Sequence, residues 1–256
     1  MHDALAEGRA ILEQEILLQI AEDGVGAEQS PSYQAFSMEM AAFAAMIANG
    51  IGAGFSDAFM NRLRAGSDYL CVLQSGNGHV PAIGDDDEGR AILAPQVDEP
   101  LYVASVAHMI SGLTGRQSHP GAQPHYLREW LAGPCAVRSA LPDTLHTFDN
   151  GGYDIVRTQV SGRAVHLTFD RGSLGYLALA GHGHADALAV WLSIDGQPVF
   201  IDAGTWLYHS GEATRAQLRR SQMHNTLSLK GLSQSEPSSA FSWSNKAQAI
   251  GVDPDL

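Results

Sequence analysis

Near residue 140 the spacing of apolar side chains changes, and no single layer of regular structure can satisfy both halves. From Ala4 to about Gly115 the period is helical. Leu12, Ile16 and Ile20 recur at helical spacing, with Ile11 and Leu17 beside them. "SPSYQAFSMEMAAFAAMIANGIG" has Pro31 near a helix start and Gly50 after the last turn. "DAFMNRLRAGSDYLCVLQ" gathers Phe59, Leu63, Tyr69 and Leu70 on one face, and "EPLYVASVAHMISGLTG" and "PHYLREWLAG" continue the pattern. After about Leu141 come short runs rich in β-branched and aromatic residues: "GGYDIVRTQV", "AVHLTFDRG", "GYLALAGHG", "ALAVWLSIDGQPVFIDAG" and "NTLSLKGLS". The Asp-Gly of "IDGQP" reads as a hairpin turn. The pattern predicts an α+β multidomain chain, helical over 1–140 and an antiparallel sheet or sandwich over 141–256.

The 256 residues hold one large domain or two modest ones, and 45% hydrophobic against 17% charged residues permits a sizeable core. A net charge of −13 argues against a nucleic-acid partner. It also gives no general attraction to an acidic polymer, so such a substrate needs local positive groups. Cys71 and Cys135 are far apart, lack metal-site spacing, and read as small buried residues. No apolar run reaches the roughly 18 residues that span a bilayer, so no membrane insertion is expected. "MHDALAEGRAILEQEI" is charged and periodic, unlike a signal peptide. It reads as the middle of a helix, and "KAQAIGVDPDL" ends without a closing element. Both ends lead us to expect a piece of a larger protein.

The chemistry concentrates in "GHGHADALAVWLSIDGQPVFIDAGTW", Gly181 to Trp206. In a strand, His182 and His184 share a face, while Gly181 and Gly183 let another backbone approach. Asp202 ends the partner strand of the hairpin, and His224 in "RRSQMHNTLSL" precedes a further strand. His184, Asp202 and His224 form an N,O,N donor set suited to zinc. Isolated histidines are usually surface or hydrogen-bonded groups. Paired glycines that weaken a strand without packing gain count against that reading here. Asp186 reads equally as a turn hydrogen bond or as support behind the ligands. "GDDDEGR" lacks the alternating spacing and distal Glu of an EF-hand, and reads as a turn between helices.

The segments "EQSPSYQAF", "VPAIGDDDEGRA", "FDNGGYDIVRT", "GHGHADALAVWLSIDGQPVFIDAGTW" and "LRRSQMHNTLSLKGLSQSE", in that order, resemble the heparinase II/III-like polysaccharide lyases, a family that includes related alginate and oligoalginate lyases. The resemblance implies the C-terminal part of an α/α toroid followed by the start of an antiparallel β-sandwich. It implies β-elimination at a uronic acid: a base takes the proton at carbon 5, a neutralised carboxylate accepts the charge, and the bond from carbon 4 to the glycosidic oxygen breaks. By resemblance, Tyr33 is the acid/base and His182 faces it at carbon 5. His184, Asp202 and His224 hold one structural zinc ion. Strand alternation would put both histidines on one side, so a bend at Gly183 is required. Gln29, beside Glu28, and Arg219 are implied to contact substrate. Arg219 would neutralise a carboxylate, with an interdomain salt bridge as its alternative.

One departure stands out. Such enzymes supply an asparagine or histidine well upstream of the tyrosine, and only 32 residues precede Tyr33. The resemblance therefore implies an incomplete site and an inactive chain when it is alone. The implied partner is an acidic polysaccharide or oligosaccharide, heparin- or heparan-like, alginate-like or a bacterial exopolysaccharide. The oligomeric state stays open, a homodimer included, and the implied location is the periplasm or cell envelope of a bacterium. The alternative is a non-catalytic carbohydrate-binding or structural domain that keeps a zinc-pinned sandwich. A metal-dependent hydrolase fits less well, since no glutamate stands out as its base.

Overall fold

The computed structural model describes residues 2–92, 101–122, 125–176 and 178–251. The chain divides into two compact units: Met1–Ala27, Pro31–Val80 and Glu88–Pro142 form one, and Glu28–Ser30, Pro81–Asp87 and Asp143–Leu256 the other.

The first unit is helical: α1 (His2–Gln19), α2 (Pro31–Gly50), α3 (Asp57–Leu73), α4 (Tyr102–Leu113) and α5 (Tyr126–Ala132). Glu99, Pro100 and Pro124, which the sequence reading assigned to helical runs, lie outside the described residues. Helix α4 is predominantly apolar, and every residue from Tyr102 to Ser111 is buried. Such a helix belongs inside, and α2, α3 and α5 pack on it. At the start of α3, Ser56 caps by accepting from the Phe59 amide at 3.2 Å. No helix among the described residues is long and apolar enough to cross a membrane.

A charge sits inside this helical unit. Glu39 on α2 and Arg128 on α5 have side chains 0% and 1% exposed. Arg128 donates from Nε to Glu39 Oε1 at 2.7 Å, and the other carboxylate oxygen accepts from the Tyr102 hydroxyl and the Ala91 amide, each at 2.9 Å. The Arg90 guanidinium covers the Tyr102 ring at 3.7 Å. Burial, then the Glu39 charge beside it, pushes the Tyr102 hydroxyl far up, so it stays protonated and can donate.

The second unit is built on a five-stranded antiparallel meander, β1 (Leu145–Phe148), β2 (Tyr153–Val160), β3 (Arg163–Asp170), β4 (Val190–Ile194) and β5 (Gln197–Phe200), in spatial order β1-β2-β3-β4-β5. Ile155, Thr168 and Trp191 lie side by side across three strands and are all buried, so one face of the sheet is the covered one. The expected hairpin turn is present. Asp195 and Gly196 have φ of 52° and 75°, the paired positive values of a two-residue turn that matches strand twist. The unit continues with α6 (Glu212–Leu218), a 3-10 turn at Ser221–Met223, and a small ribbon of β6 (Pro237–Ser239) and β7 (Ser242–Trp243).

Two expected strands are not strands. The described residues of "GYLALAGHG" form bends and turns, with Leu177 outside the description. Ala180 has φ 50°, its carbonyl accepts from the Trp243 indole at 3.1 Å, and it packs with Ala185, Trp243 and Leu174. A pinned loop therefore replaces the strand. "NTLSLKGLS" makes only one bridge, Leu229 to Leu232, around Lys230 and Gly231 with φ of 37° and 77°. β5 also stops at Phe200, so Asp202 lies two residues past the strand rather than at its end.

The Glu39–Arg128 pair gives a direct test. Arg128→Met leaves the Glu39 carboxylate buried without its cation and should cost about 3–5 kcal/mol in urea unfolding. Adding Glu39→Gln should recover part of that loss, because the stranded charge is then removed.

Candidate functional site

The site lies within the second unit, on three loops. The first is Gly181–Asp186, the second follows β5, and the third follows the 3-10 turn. Hydrogen bonds to backbone tie them together. Asn225 donates from Nδ2 to the Ile201 carbonyl at 2.6 Å, and its own carbonyl accepts from Val190 N at 3.1 Å. Thr226 donates through Oγ1 to the Ala187 carbonyl, and Ser221 through Oγ to the Ala185 carbonyl at 2.6 Å. The Asn and Thr of "HNT" thus anchor the loop that presents His224. The Gly204 amide donates to Asp202 Oδ1 at 2.9 Å, and its φ of 69° accounts for the glycine two residues after the aspartate.

His184, Asp202 and His224 come together. Each offers one ligand atom, and these atoms lie within 4.8 Å of one another. His224 Nδ1 is 2.7 Å from Asp202 Oδ2, and the His184 and His224 rings are 5.3 Å apart. His184 Nδ1 and His224 Nε2 are buried and make no hydrogen bond. Buried ring nitrogens without partners are costly in a fold and are what a ligand set needs. The cluster can hold a metal ion. Asp186 is buried behind it; burial pushes its carboxyl up, and the neighbouring His224 and His184 pull against that. Burial alone would lower His224, but the Asp202 hydrogen bond and the nearby carboxylate charges outweigh it and raise the ring.

The centre of the loops is a residue the sequence reading set aside. Asp85, in the segment read as a turn between helices, belongs to this unit, and its side chain is 0% exposed. Arg215 of α6 donates to both of its oxygens, Nη1 to Oδ1 at 2.8 Å and Nη2 to Oδ2 at 2.7 Å. His184 Nε2 lies 3.0 Å from Oδ1, and His182 Nδ1 lies 3.5 Å from Oδ2. Burial works against the charge, but the contacts from His182, His184 and Arg215 prevail and hold the carboxyl far below the usual carboxylate range. Asp86 and Asp87 beside it are exposed, so a run of three acids hides one buried charge.

The two histidines do not share a strand face. Both reach Asp85 from a loop, and they differ in access: the His182 side chain is 19% exposed and His184 1%. His182 Nε2 lies 3.8 Å from Glu28 Oε1, and burial pushes the Glu28 carboxyl up. The glycines separate in role. A Cβ on Gly183 would fall 1.3 Å from the Leu174 carbonyl oxygen, whereas at Gly181 the nearest atom is 3.8 Å away. Close backbone approach is therefore the reason for Gly183 alone.

The remaining expected site residues are placed differently. Tyr33 is half-buried on the first turn of α2, in the helical unit. Gln29, expected on the substrate, is buried within the second unit and donates to the Gly151 carbonyl at 3.3 Å, so it braces a turn. Arg219 is 0% exposed. Its Nη1 donates to the Ser239 and Ala240 carbonyls at 3.0 and 2.7 Å, and its guanidinium lies 4.4 Å over the Trp243 ring. Burial lowers its pKa to about 10. As folded, Arg219 faces inward and has no surface to offer a polymer.

An antiparallel β unit with a buried His–Asp–His cluster, joined to a helical unit, defines the class. Residues 140–253 match the family described as Heparinase II/III-like, C-terminal. No curated protein sequence matches. Among solved structures, the heparinase III BT4657 gene product is similar with a TM-score of 0.66 at 18% identity, over 91% of this chain and 33% of that one. The heparan sulfate lyase HepC from Pedobacter heparinus gives 0.66 at 20% identity, over 89% and 33%. A further heparinase III structure gives 0.64 at 20% identity, over 91% and 36%. The chain thus spans about a third of the length of the structures it matches.

Two outcomes are expected. Protein purified without chelator should carry about one metal equivalent by elemental analysis. His184→Ala should abolish it, and stripping the metal should lower Tm, since metal at a thousandfold excess over its Kd adds about 4 kcal/mol. Separately, Gly183→Ala should destabilise by about 1–3 kcal/mol or more because the loop must shift, while Gly181→Ala should be nearly silent. Paired thermal melts check the contrast.

Proposed function

We propose that this chain is part of a polysaccharide lyase that cleaves a uronate-containing acidic polysaccharide by β-elimination. The observation that carries the reading is the pairing of His182 and His184 on one carboxylate. One histidine is closed into the donor cluster, and His182, held by the same acid, keeps its side chain 19% exposed with Nε2 3.8 Å from the Glu28 carboxylate. A positioned, partly exposed imidazole beside a second carboxylate suits proton transfer at a bound ring.

In this reading His182 and Tyr33 serve carbon 5 and the leaving oxygen. The proton leaves carbon 5, its electron pair forms the double bond to carbon 4, the bond from carbon 4 to the glycosidic oxygen breaks, and the departing oxygen takes a proton. Tyr33 is assigned from its "SPSY" setting and His182 from "GHGHAD". The metal is assigned as a single zinc ion because two imidazoles and a carboxylate are ligands that zinc takes, and its structural role is assigned from the family resemblance. When bound it supplies rigidity to the three loops. The substrate class is a heparan-like, alginate-like or related exopolysaccharide, met in the periplasm or cell envelope; fractionation of the source cells checks the location. Gln29 and Arg219 shape the loops from behind in this reading.

The test is digestion of heparan sulfate and alginate by the full-length protein, followed by ultraviolet absorbance. A rise from the new double bond is expected. New reducing ends without that absorbance would mean hydrolysis, and binding without either would favour the non-catalytic carbohydrate-binding reading. Tyr33→Phe should lower kcat by about 10²–10⁴-fold with binding nearly intact.

A further inference from the structure

We propose that Trp206 is a sugar-binding residue, its exposed indole lying against the apolar C–H face of a pyranose ring of the bound polysaccharide. That the ring belongs to a uronate-containing chain rests on the lyase reading. The exposed aromatic platform does not.

Folding alone disfavours this placement. Trp206 is 65% exposed, whereas Trp191 and Trp243 of the same unit are 4% and 8% exposed. Its φ is 62°. That left-handed region suits glycine, and a bulky side chain held there is strained. An aromatic ring left in water also gains little from the hydrophobic effect. A residue both strained and uncovered adds little to stability, so its use lies outside the fold. Trp130 is exposed too, but it stands on α5 of the helical unit, where no such strain accompanies it. The indole N–H points the same way. Trp243 donates its own to the Ala180 carbonyl, whereas no described residue accepts from Trp206 and no described ring stacks on it. A flat apolar face and a hydrogen-bond donor are thus offered together. A pyranose has the matching pair, C–H bonds on its face and oxygens around its rim.

The platform is rigidly mounted. Thr205 is buried, and its Oγ1 accepts from the Asp86 amide at 2.8 Å and donates to the Gly84 carbonyl at 3.4 Å. On the other side of Trp206, the Tyr208 hydroxyl lies 3.5 Å from His182 Nδ1, and the Tyr208 ring is 4.9 Å from that of Phe241. One edge of the indole leans on the start of α6, where a Cβ on Gly211 would come 3.4 Å from Trp206 Cδ1. The same loop supplies Asp202 to the donor cluster. Trp206 is therefore projected from between anchored neighbours at the rim of the site, and a pre-set aromatic loses little freedom on binding. Asp86 is exposed beside Thr205 and would repel a carboxylate there, so the indole meets the neutral face of the sugar rather than its charge.

The test uses full-length protein with oligosaccharides of heparan sulfate and of alginate. Initial rates are read by ultraviolet absorbance, and affinity by calorimetry in a Tyr33→Phe background that slows cleavage. We expect Trp206→Ala to raise Kd and KM about 10–30-fold with kcat within about twofold, the pattern of binding lost equally from ground and transition states. Trp206→Phe should keep most of the affinity. Trp206→Gly should lose affinity like the alanine variant yet melt no lower than wild type, because glycine relieves the positive φ. A clear fall in Tm for Trp206→Gly would make the indole a packing residue and overturn the proposal, and so would unchanged Kd and KM in a folded Trp206→Ala protein. In either case a normal rise in absorbance leaves the lyase reading standing. Binding that depends on Trp206 in a wild-type protein that forms no double bond would uphold the sugar contact and defeat the lyase reading instead.

Discussion

Two nitrogens of Arg215 close on the two oxygens of Asp85, at 2.8 and 2.7 Å, where water does not reach. Taking both charges out of water is expensive, and the attraction repays it only when the remaining acceptor capacity is also filled. Here two imidazoles fill it. The histidine loop therefore hangs from a charge that could not be buried without that loop. The loop in turn carries the donor cluster, and Asn225 and Thr226 tie the third loop to the other two. Removing the pair would leave the β unit with a sheet but without an organised site.

The same economy holds in the helical unit, where Glu39 is enclosed by Arg128, the Tyr102 hydroxyl and two backbone amides. Each unit thus contains a buried carboxylate held by several donors. The units are not two halves of a string, however. Glu28–Ser30 and Pro81–Asp87 lie in the β unit although helical segments flank them in sequence. The family match begins at residue 140 and so omits Asp85. A piece cut at that boundary would hold Arg215 with no counter-charge.

Much of this was legible in the sequence where the signal is local. The change of period near residue 140 announced helices and then strands, and Asp195–Gly196 announced its hairpin because that turn needs two positive φ values. The His184, Asp202, His224 set was readable because few other arrangements of glycine, histidine and acid make sense together. What was not readable depended on distant partners. Asp85 resembled its exposed neighbours Asp86 and Asp87, and its cation lies 130 residues away. "GYLALAGHG" has strand composition, but Trp243 reaches back to Ala180 and holds a loop. Arg219 resembled a substrate-binding cation until Ser239 and Ala240 turned out to hold it indoors. Composition records what a side chain can do, and only the fold decides whether solvent can reach it.

The separation of Asp85 from Arg215 also sets an order of events during synthesis. With 130 residues between them, and a ribosome adding about 5–20 residues per second, the carboxylate waits on the order of ten seconds for its cation. Glu39 and Arg128 are closer, 89 residues apart, so the helical unit can settle its charge first. Through that interval the Pro81–Asp87 strap must stay in water, since an unpaired Asp85 resists burial. The β unit therefore closes after the helical unit, once α6 has supplied its arginine and Ala240 and Trp243 have followed.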